Sequence, residues 1–458
     1  MRALLPLLPL TASLLVACRH GDSVPISDVV FVTVDTLRVD HVGAFAADSP
    51  ALTPHIDALA ADSVLYAQAY SPISVTGPAF CTLHTGLGPS SHGVTMNLFR
   101  GGATLAPEAE TLAERLSAAG FGTGAFVSGF TLRDALNLDQ GFDLYDQPPN
   151  NQRRPGAITL DAMLAWADEV GTRQPRFLWW HTYDPHGPLA PWGDRPEQGA
   201  WPSVPADRAH LPRYQRLYGI TSPGFYAHRY ARAVEHTDTQ VGRVVAWLKQ
   251  HDRYDDALIV FTADHGESFT ERSLWFDHGT TAHEEQLHVP LLIKYPQGWG
   301  AGTRVEGLVG LADIAPTVLH LQSGDRPTGL DGHSLRDPAF TGHAVLTGES
   351  SHCKGAPVLR CAPRGPGGKS FSARSAAHTL IQRRLSGGVE RALYDRDRDR
   401  AEAIPLRADD APPALVHAID TIATDRATRD YSGYDQPSRT DEDQQEQEAL
   451  EALGYRDR

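Results

Sequence analysis

The sequence predicts an α/β fold, a mostly parallel sheet flanked by helices, followed by a smaller C-terminal α+β subdomain. Three observations predict it. Short β-branched apolar runs recur along the first 330 residues, longer helical stretches alternate with them, and beyond that point the runs shorten while Gly and Pro thicken.

DVVFVTV (28–34) is a continuous apolar run ending at Asp35, the pattern of a parallel strand buried on both faces. Strand-like runs recur at 124–127, 177–180, 258–262 and 289–293. A helix is predicted to start at Thr53-Pro54, with the threonine as N-cap and the proline in the first position. Another is predicted over 108–119, stopped by Gly120. Further helical stretches at 157–170, 226–250 and 313–322 separate the strands. In open parallel sheets ligands bind outside the carboxyl ends of the strands. Asp35, His181 and Asp264 each follow a strand-like run, so three distant segments are expected to converge there.

The 458 residues carry 41 basic and 56 acidic side chains, a net charge of −15, which argues against a broad nucleic-acid-binding face. No nucleic-acid partner is predicted. An apolar content of 41% supplies a sizeable core. The apolar run from Ala3 to Ala17 follows Arg2 and is shorter than the roughly 20 residues that span a bilayer. Residues 1–17 therefore read as an export signal. Leu15-Val16-Ala17-Cys18 resembles the lipobox of bacterial lipoproteins. The expectation is an exported chain, lipid-anchored through Cys18 to the bacterial cell envelope, with 18–27 as linker; the alternative is a plain signal peptide with an incidental cysteine.

Cys353 and Cys361 stand eight apart in a Gly/Pro-rich stretch and would close a small loop in an oxidising compartment, leaving Cys81 a lone thiol. Residues 28–330 read as the large α/β domain and 331–435 as the C-terminal subdomain. DEDQQEQEALEALGY, within 436–458, reads as an acidic docking helix.

Four clusters carry chemistry. In TGPAFCTLHTG (76–86), Thr76 is a good N-cap before Gly77-Pro78, which would put its hydroxyl at the positive end of a helix dipole. A divalent cation nearby would make that hydroxyl a nucleophile toward phosphorus or sulfur; the plainer alternative is a capping residue. LIVFTADHGE (258–267) delivers Asp264 and His265 at a strand end, a pair suited to Zn²⁺ or Mn²⁺ or, alternatively, to a hydrogen-bonded turn. The other two are HTYDPH (181–186), with Asp184 and His186, and DHG (277–279), with His278; loop histidines there serve as ligands, leaving-group acids or anion binders. HEEQLH (283–288) spaces its histidines five apart, about 140° on a helix, and is no metalloprotease motif.

Taken in order, VTVDTLRVDHVG (32–43), TPHIDALAADSVLYAQAYS (53–71), TGPAFCTLHTGLGPSSHGV (76–94), FTADHGESF (261–269) and HVPLLIKYP (288–296) resemble the successive blocks of the sulfatase family of the alkaline-phosphatase superfamily. ALYDRDRDRAEAIPL and the terminal EALGY resemble its C-terminal signatures. The resemblance implies an alkaline-phosphatase/sulfatase-like fold, with Asp35, Asp264 and His265 binding a divalent metal (Zn, Mn, Ca or Mg) and Thr76 at the nucleophile position facing it. Asp184, His186 and His278 match positions of second-metal ligands or of substrate and leaving-group contacts, and Arg38 matches the arginine of the first block.

The departures are specific. Typical members carry Cys or Ser in C/S-x-P-x-R, converted to formylglycine; here Thr76 holds the first position and Phe80 the arginine's. Formylglycine cannot form at threonine. Thr36 replaces a second Asp and His265 an Asn, which resembles phosphodiesterase relatives with a threonine nucleophile. The implied function is hydrolysis of sulfate or phosphate esters, of small molecules, glycans or lipids. The alternatives are a phosphodiesterase or phosphomonoesterase, a phospho-head-group transferase, and a non-catalytic binding lipoprotein of the same fold.

Overall fold

The computed structural model describes residues 25–97, 103–149, 152–171, 174–190, 201, 203–272, 275–351, 369–385 and 388–428. The expectations for the signal peptide, Cys18, the Cys353–Cys361 pair and the acidic helix at 436–458 fall outside the described residues. Within them, no helix is long and apolar enough to cross a membrane.

The large sheet is built from β1 (Asp28–Val34), β2 (Val64–Tyr70), β3 (Gly122–Val127), β4 (Leu144–Asp146), β5 (Arg176–Thr182), β6 (Leu258–Ala263), β7 (His288–Val289), β8 (Leu291–Lys294) and β9 (Arg304–Gly310). Their spatial order is β4-β3-β5-β1-β6-β8-β2-β7, with β9 on β2. Pairing is parallel around β1 and antiparallel where β8 meets β6 and β2. All seven residues of β1 are buried, as its unbroken apolar run requires of a central strand. Its first residue, Asp28, is buried yet doubly paired, with Arg176 at 2.7 Å and with Arg253.

The helices are α1 (Pro54–Ala61), α2 (Thr76–Thr85), α3 (Pro89–His92), α4 (Leu112–Ala118), α5 (Gly156–Val170), α6 (Pro223–Gln250), α7 (Glu284–Leu287) and α8 (Ile314–Ser323). Three local expectations need correction. The helix expected over 108–119 begins at Leu112, because Thr111 and Glu114 form a reciprocal capping box there. The run at 289–293 is broken at Pro290, which has no N–H for a ladder, and becomes two short antiparallel strands. Thr76 is the first helical residue of α2; Val75 is the N-cap, and no side chain caps this end.

Beyond residue 330 a second, antiparallel sheet forms from β10 (Leu346–Glu349), β11 (Ser370–Arg374), β12 (His378–Leu385) and β13 (Gly388–Asp395). One face packs through Phe371, Ala373, Leu380 and Leu393 against Leu415 and Ile419 of the C-terminal helix Pro413–Thr428. The two sheets meet beside α2, where Ile73 bridges Glu349 and the Ser74 N–H donates to the Glu349 carbonyl at 3.2 Å.

Candidate active site

Register assembles the centre of the site. Val34 pairs with Thr182 on one side and Ala263 on the other, so the next residues of β1 and β6, Asp35 and Asp264, emerge side by side. The chain turns at Thr36, a β-branched residue at φ 57°. That uncommon conformation is held from both ends: the Thr36 N–H donates to Asp264 Oδ1 (3.1 Å) and its carbonyl accepts from the Tyr230 hydroxyl (2.6 Å).

α2 brings Thr76 to the same point. Its hydroxyl donates to Asp35 Oδ2 at 3.2 Å and lies 3.5 Å from His265 Nε2. Since the hydroxyl does not cap its own helix, it is free to face these groups. The Gly77 N–H is engaged by Asn97 Oδ1 at 2.8 Å. The expected helix-terminal placement therefore holds, with a geometry better suited to a nucleophile than to a cap.

Asp35, Asp264 and His265 offer ligand atoms all within 4.8 Å of one another, and all three residues are fully buried. His265 Nδ1 donates to the Gly266 carbonyl at 2.8 Å, which leaves the Nε2 lone pair facing the two carboxylates and the hydroxyl. His181 takes the opposite tautomer, its Nδ1 accepting from the Ser128 N–H, so that Nε2–H faces Asp35 Oδ2 at 3.5 Å. Burial and the neighbouring Asp264 push Asp35 well above the ordinary carboxylate range. Asp35 Oδ1 and Asp264 Oδ2 are buried without a hydrogen-bond partner. Two close, buried, incompletely satisfied carboxylates beside an imidazole lone pair are the donor set of a divalent cation, so these residues fit the metal that the sequence implies.

A file of imidazoles leads outward. The His265 and His278 rings lie 4.5 Å apart and those of His278 and His186 4.9 Å. His186 stacks on Tyr183 at 4.1 Å, and its Nδ1 donates to the Gly187 carbonyl. Burial and His278 hold His186 well below its ordinary pKa, so Nε2 of a neutral ring is its exposed function. His278 Nδ1 lies 3.4 Å from the Glu267 carboxylate, whose pKa burial pushes up to about 8.

Asp184 takes a different place. Its Oδ1 accepts from the Gly156 N–H at the start of α5 (3.0 Å), and its Oδ2 faces His236 Nε2 at 3.9 Å. Among the described residues Asp184, His186 and His278 do not form a second group of ligand atoms like the first. Arg38 lies one layer out, donating to the Glu267 carbonyl and bridging Asp40 and Glu271. Phe80, at the expected arginine position, is buried against Trp179 and His181. Cys81 is a buried thiol whose pKa burial raises, as suits an inert core residue.

Sequence reasoning did not single out Glu267, Asn97, Ser128 or Tyr230. Glu267 stood inside a motif already quoted, two residues beyond His265. The others act through contacts 20 to 194 residues away in sequence, for which no local pattern exists.

Comparison with known proteins decides what this centre belongs to. The family model described as Sulfatase matches residues 27–324. The chain belongs to the sulfatase family. With that family it falls among the ester hydrolases. "Uncharacterized sulfatase YidJ" of Escherichia coli (strain K12) is 25% identical over 356 residues, covering 67% of this chain and 70% of that protein. The "Ulvan-active sulfatase" of Formosa agariphila is 26% identical over 344 residues, covering 68% of this chain and 64% of that protein. This sulfatase-family chain thus matches about two thirds of the length of these relatives. The structure of the phosphonate monoester hydrolase SpPMH from Silicibacter pomeroyi superposes with a TM-score of 0.67 over 87% of this chain and 94% of that one; at 22% identity this likeness shows the fold.

Proposed function

We propose that this sulfatase-family protein is an exported, metal-dependent hydrolase of sulfate or phosphate esters in which Thr76 is the nucleophile. The observation that carries the reading is the placement of the Thr76 hydroxyl, 3.2 Å from Asp35 and 3.5 Å from His265 at the mouth of a three-ligand cluster. Asp35, Asp264 and His265 would hold the cation. When bound, such an ion lowers the pKa of a neighbouring hydroxyl and stabilises charge on the oxygens of an ester.

The protein's own groups supply the rest. Asp35 receives the hydroxyl hydrogen bond that orients Thr76; once that proton has been lost to solvent, Thr76 Oγ1 attacks the phosphorus or sulfur in line and forms the threonyl ester. The bond to the departing alcohol breaks as the new bond forms, and His278 gives that alcohol its proton; His186, a neutral ring whose Nδ1–H is held by the Gly187 carbonyl, offers Nε2 as a hydrogen-bond acceptor to the substrate. Water then attacks the same phosphorus or sulfur, the bond to Thr76 Oγ1 breaks, one proton of the water returns to Oγ1, and phosphate, phosphonate or sulfate leaves. Glu267 and Arg38 position this machinery, Glu267 by flanking His278 and Arg38 by holding the Glu267 carbonyl.

Phosphate and phosphonate monoesters are favoured over sulfates on one ground. Threonine cannot become formylglycine, and an alkoxide forming a threonyl ester matches phosphoryl chemistry. The leader and Cys18 support export and attachment to the cell envelope.

The test uses the chain beginning after Cys18, loaded in turn with Zn²⁺, Mn²⁺, Mg²⁺ and Ca²⁺. Aryl sulfate, aryl phosphate, aryl phosphonate and bis-aryl phosphodiester are offered, with and without a competing alcohol. Cleavage of one ester with metal, abolished by chelation, supports the reading, and the ranking names the ester. Transfer to the alcohol in preference to water replaces hydrolase by transferase. Turnover of none of the four with any metal contradicts the reading in favour of a binding protein of this fold.

A further inference from the structure

The turn that follows β1 is closed by a residue of α6. Asp35 is the first residue beyond the strand, and the chain then turns through Thr36 at φ 57°. A β-branched residue rarely adopts that conformation, so the structure around it has to hold it there. The Tyr230 hydroxyl does so from 194 residues away, donating to the Thr36 carbonyl at 2.6 Å and accepting from the Arg38 N–H at 2.9 Å. One phenol oxygen thus ties together the two ends of the turn, using its proton at one end and a lone pair at the other.

The same turn sets two of the three candidate ligands. Asp35 directly precedes Thr36. The Thr36 N–H donates to Asp264 Oδ1 at 3.1 Å, beside the His265 N–H at 2.9 Å, which leaves Asp264 Oδ2 buried and without a hydrogen-bond partner. A rotation of the peptide planes at Thr36 therefore redirects Asp35 and loosens Asp264 together. Contacts one layer beyond the ligands orient them and tune affinity for the ion.

The ring of Tyr230 has support of its own. It is 1% exposed and packs edge-on against His41 and Phe269, with centroids 4.9 Å away in both cases. Burial raises the pKa of its hydroxyl well above the ordinary tyrosine value, which keeps the donated proton in place. The ring fills the core, and the hydroxyl acts on the turn.

We infer that the Tyr230 hydroxyl is a positioning group for the cation site: it holds Thr36 in its left-handed conformation and thereby keeps Asp35 and Asp264 in the arrangement that binds metal. The inference rests on Asp35, Asp264 and His265 being the metal ligands.

The experiment reads metal affinity and needs no substrate. Zn²⁺ is titrated against a chromophoric chelator in the presence of the unaltered chain, Tyr230→Phe, Thr36→Gly and the double variant, and each metal-free protein is melted. Tyr230→Phe keeps the packed ring. Thr36→Gly admits φ 57° without steric conflict and removes a side-chain hydroxyl that has no hydrogen-bond partner. The expected result is that Tyr230→Phe folds and binds Zn²⁺ about 10- to 100-fold more weakly, and that glycine at position 36 recovers most of the loss. A hydroxyl that served folding alone would shift the melt and leave the affinity where it was. Unchanged affinity in Tyr230→Phe, a loss that glycine does not reduce, or a Tyr230→Phe chain that does not fold overturns the inference. Absence of Zn²⁺ binding by the unaltered chain overturns the metal reading itself, so the two failures are told apart.

Discussion

The Thr76 hydroxyl lies 3.2 Å from Asp35 Oδ2, although the two residues belong to different elements 41 positions apart. β1 ends at Asp35 beside Asp264 of β6, and the uncapped first turn of α2 delivers Thr76 to the same point. The centre thus combines a potential nucleophile, two carboxylates and an imidazole lone pair, all buried. Such crowding of like charges disfavours the metal-free protein, which gives the first prediction.

Asp35→Asn removes one of two adjacent carboxylates whose mutual repulsion and desolvation raise the Asp35 pKa. The metal-free variant should be more stable than the unaltered protein by about 1–3 kcal/mol, and its metal affinity should fall roughly 100-fold or more. Thermal melts with and without added Zn²⁺ check both. The unaltered chain should gain about 2.7 kcal/mol at 100 times its Kd, and the variant almost nothing at that concentration.

His278→Ala should act through the leaving group. An alkyl ester, whose alcohol must be protonated as it departs, should lose about 10²–10⁴-fold in kcat, while a 4-nitrophenyl ester should lose far less. A plot of rate against leaving-group pKa for the two proteins checks this. Parallel lines would remove His278 from the acid role.

His84 is a buried imidazole with neither nitrogen hydrogen-bonded, enclosed by Phe31, Phe142, Phe177 and Trp179. Burial lowers its pKa to about 3. The unfolded chain therefore binds the extra proton first, so stability is full above the unfolded pKa near 6.5 and is lost as pH falls toward 3. His84→Leu should raise stability by about 1–2 kcal/mol at pH 7 and flatten that slope, as urea titrations between pH 7 and 4 would show.

Glu349 fastens the two sheets together. Burial alone would raise its pKa, but Lys369 at 2.8 Å and Arg426 at 2.6 Å outweigh burial and hold it at about 2. A depressed carboxylate contributes stability that is present above the unfolded pKa of 4.5 and lost as pH falls through 2. The contribution is about 3 kcal/mol, and Glu349→Gln should remove most of it at pH 7 while leaving stability at pH 2 little changed.

What the sequence disclosed follows from where its information is local. β1 announced itself at its own boundaries because a central strand is apolar on both faces, and Asp35 followed as the first polar residue beyond it. Asp264 and His265 were legible for the same reason at the end of β6. The four-stranded antiparallel sheet was foreseen only as an α+β subdomain. Its strands are half-exposed and carry charged residues such as Arg383 and Glu390, which blurs the apolar pattern. The contact that fixes Asp184, the Gly156 N–H of α5, lies 28 residues away and has no local pattern in the sequence. Thr76 was read as a cap from its residue type; that it opens the helix instead depends on the extended backbone of Val75.

The central claim, that Thr76 forms the bond to phosphorus or sulfur, is tested most directly by rapid acid quench during turnover followed by peptide mass spectrometry. The account predicts a peptide containing Thr76 that carries one phosphoryl or sulfuryl group, absent in Thr76→Ala, together with a loss of kcat in that variant of about 10³-fold or more, near 4 kcal/mol. Full turnover by Thr76→Ala, or the adduct on a different residue, would contradict it.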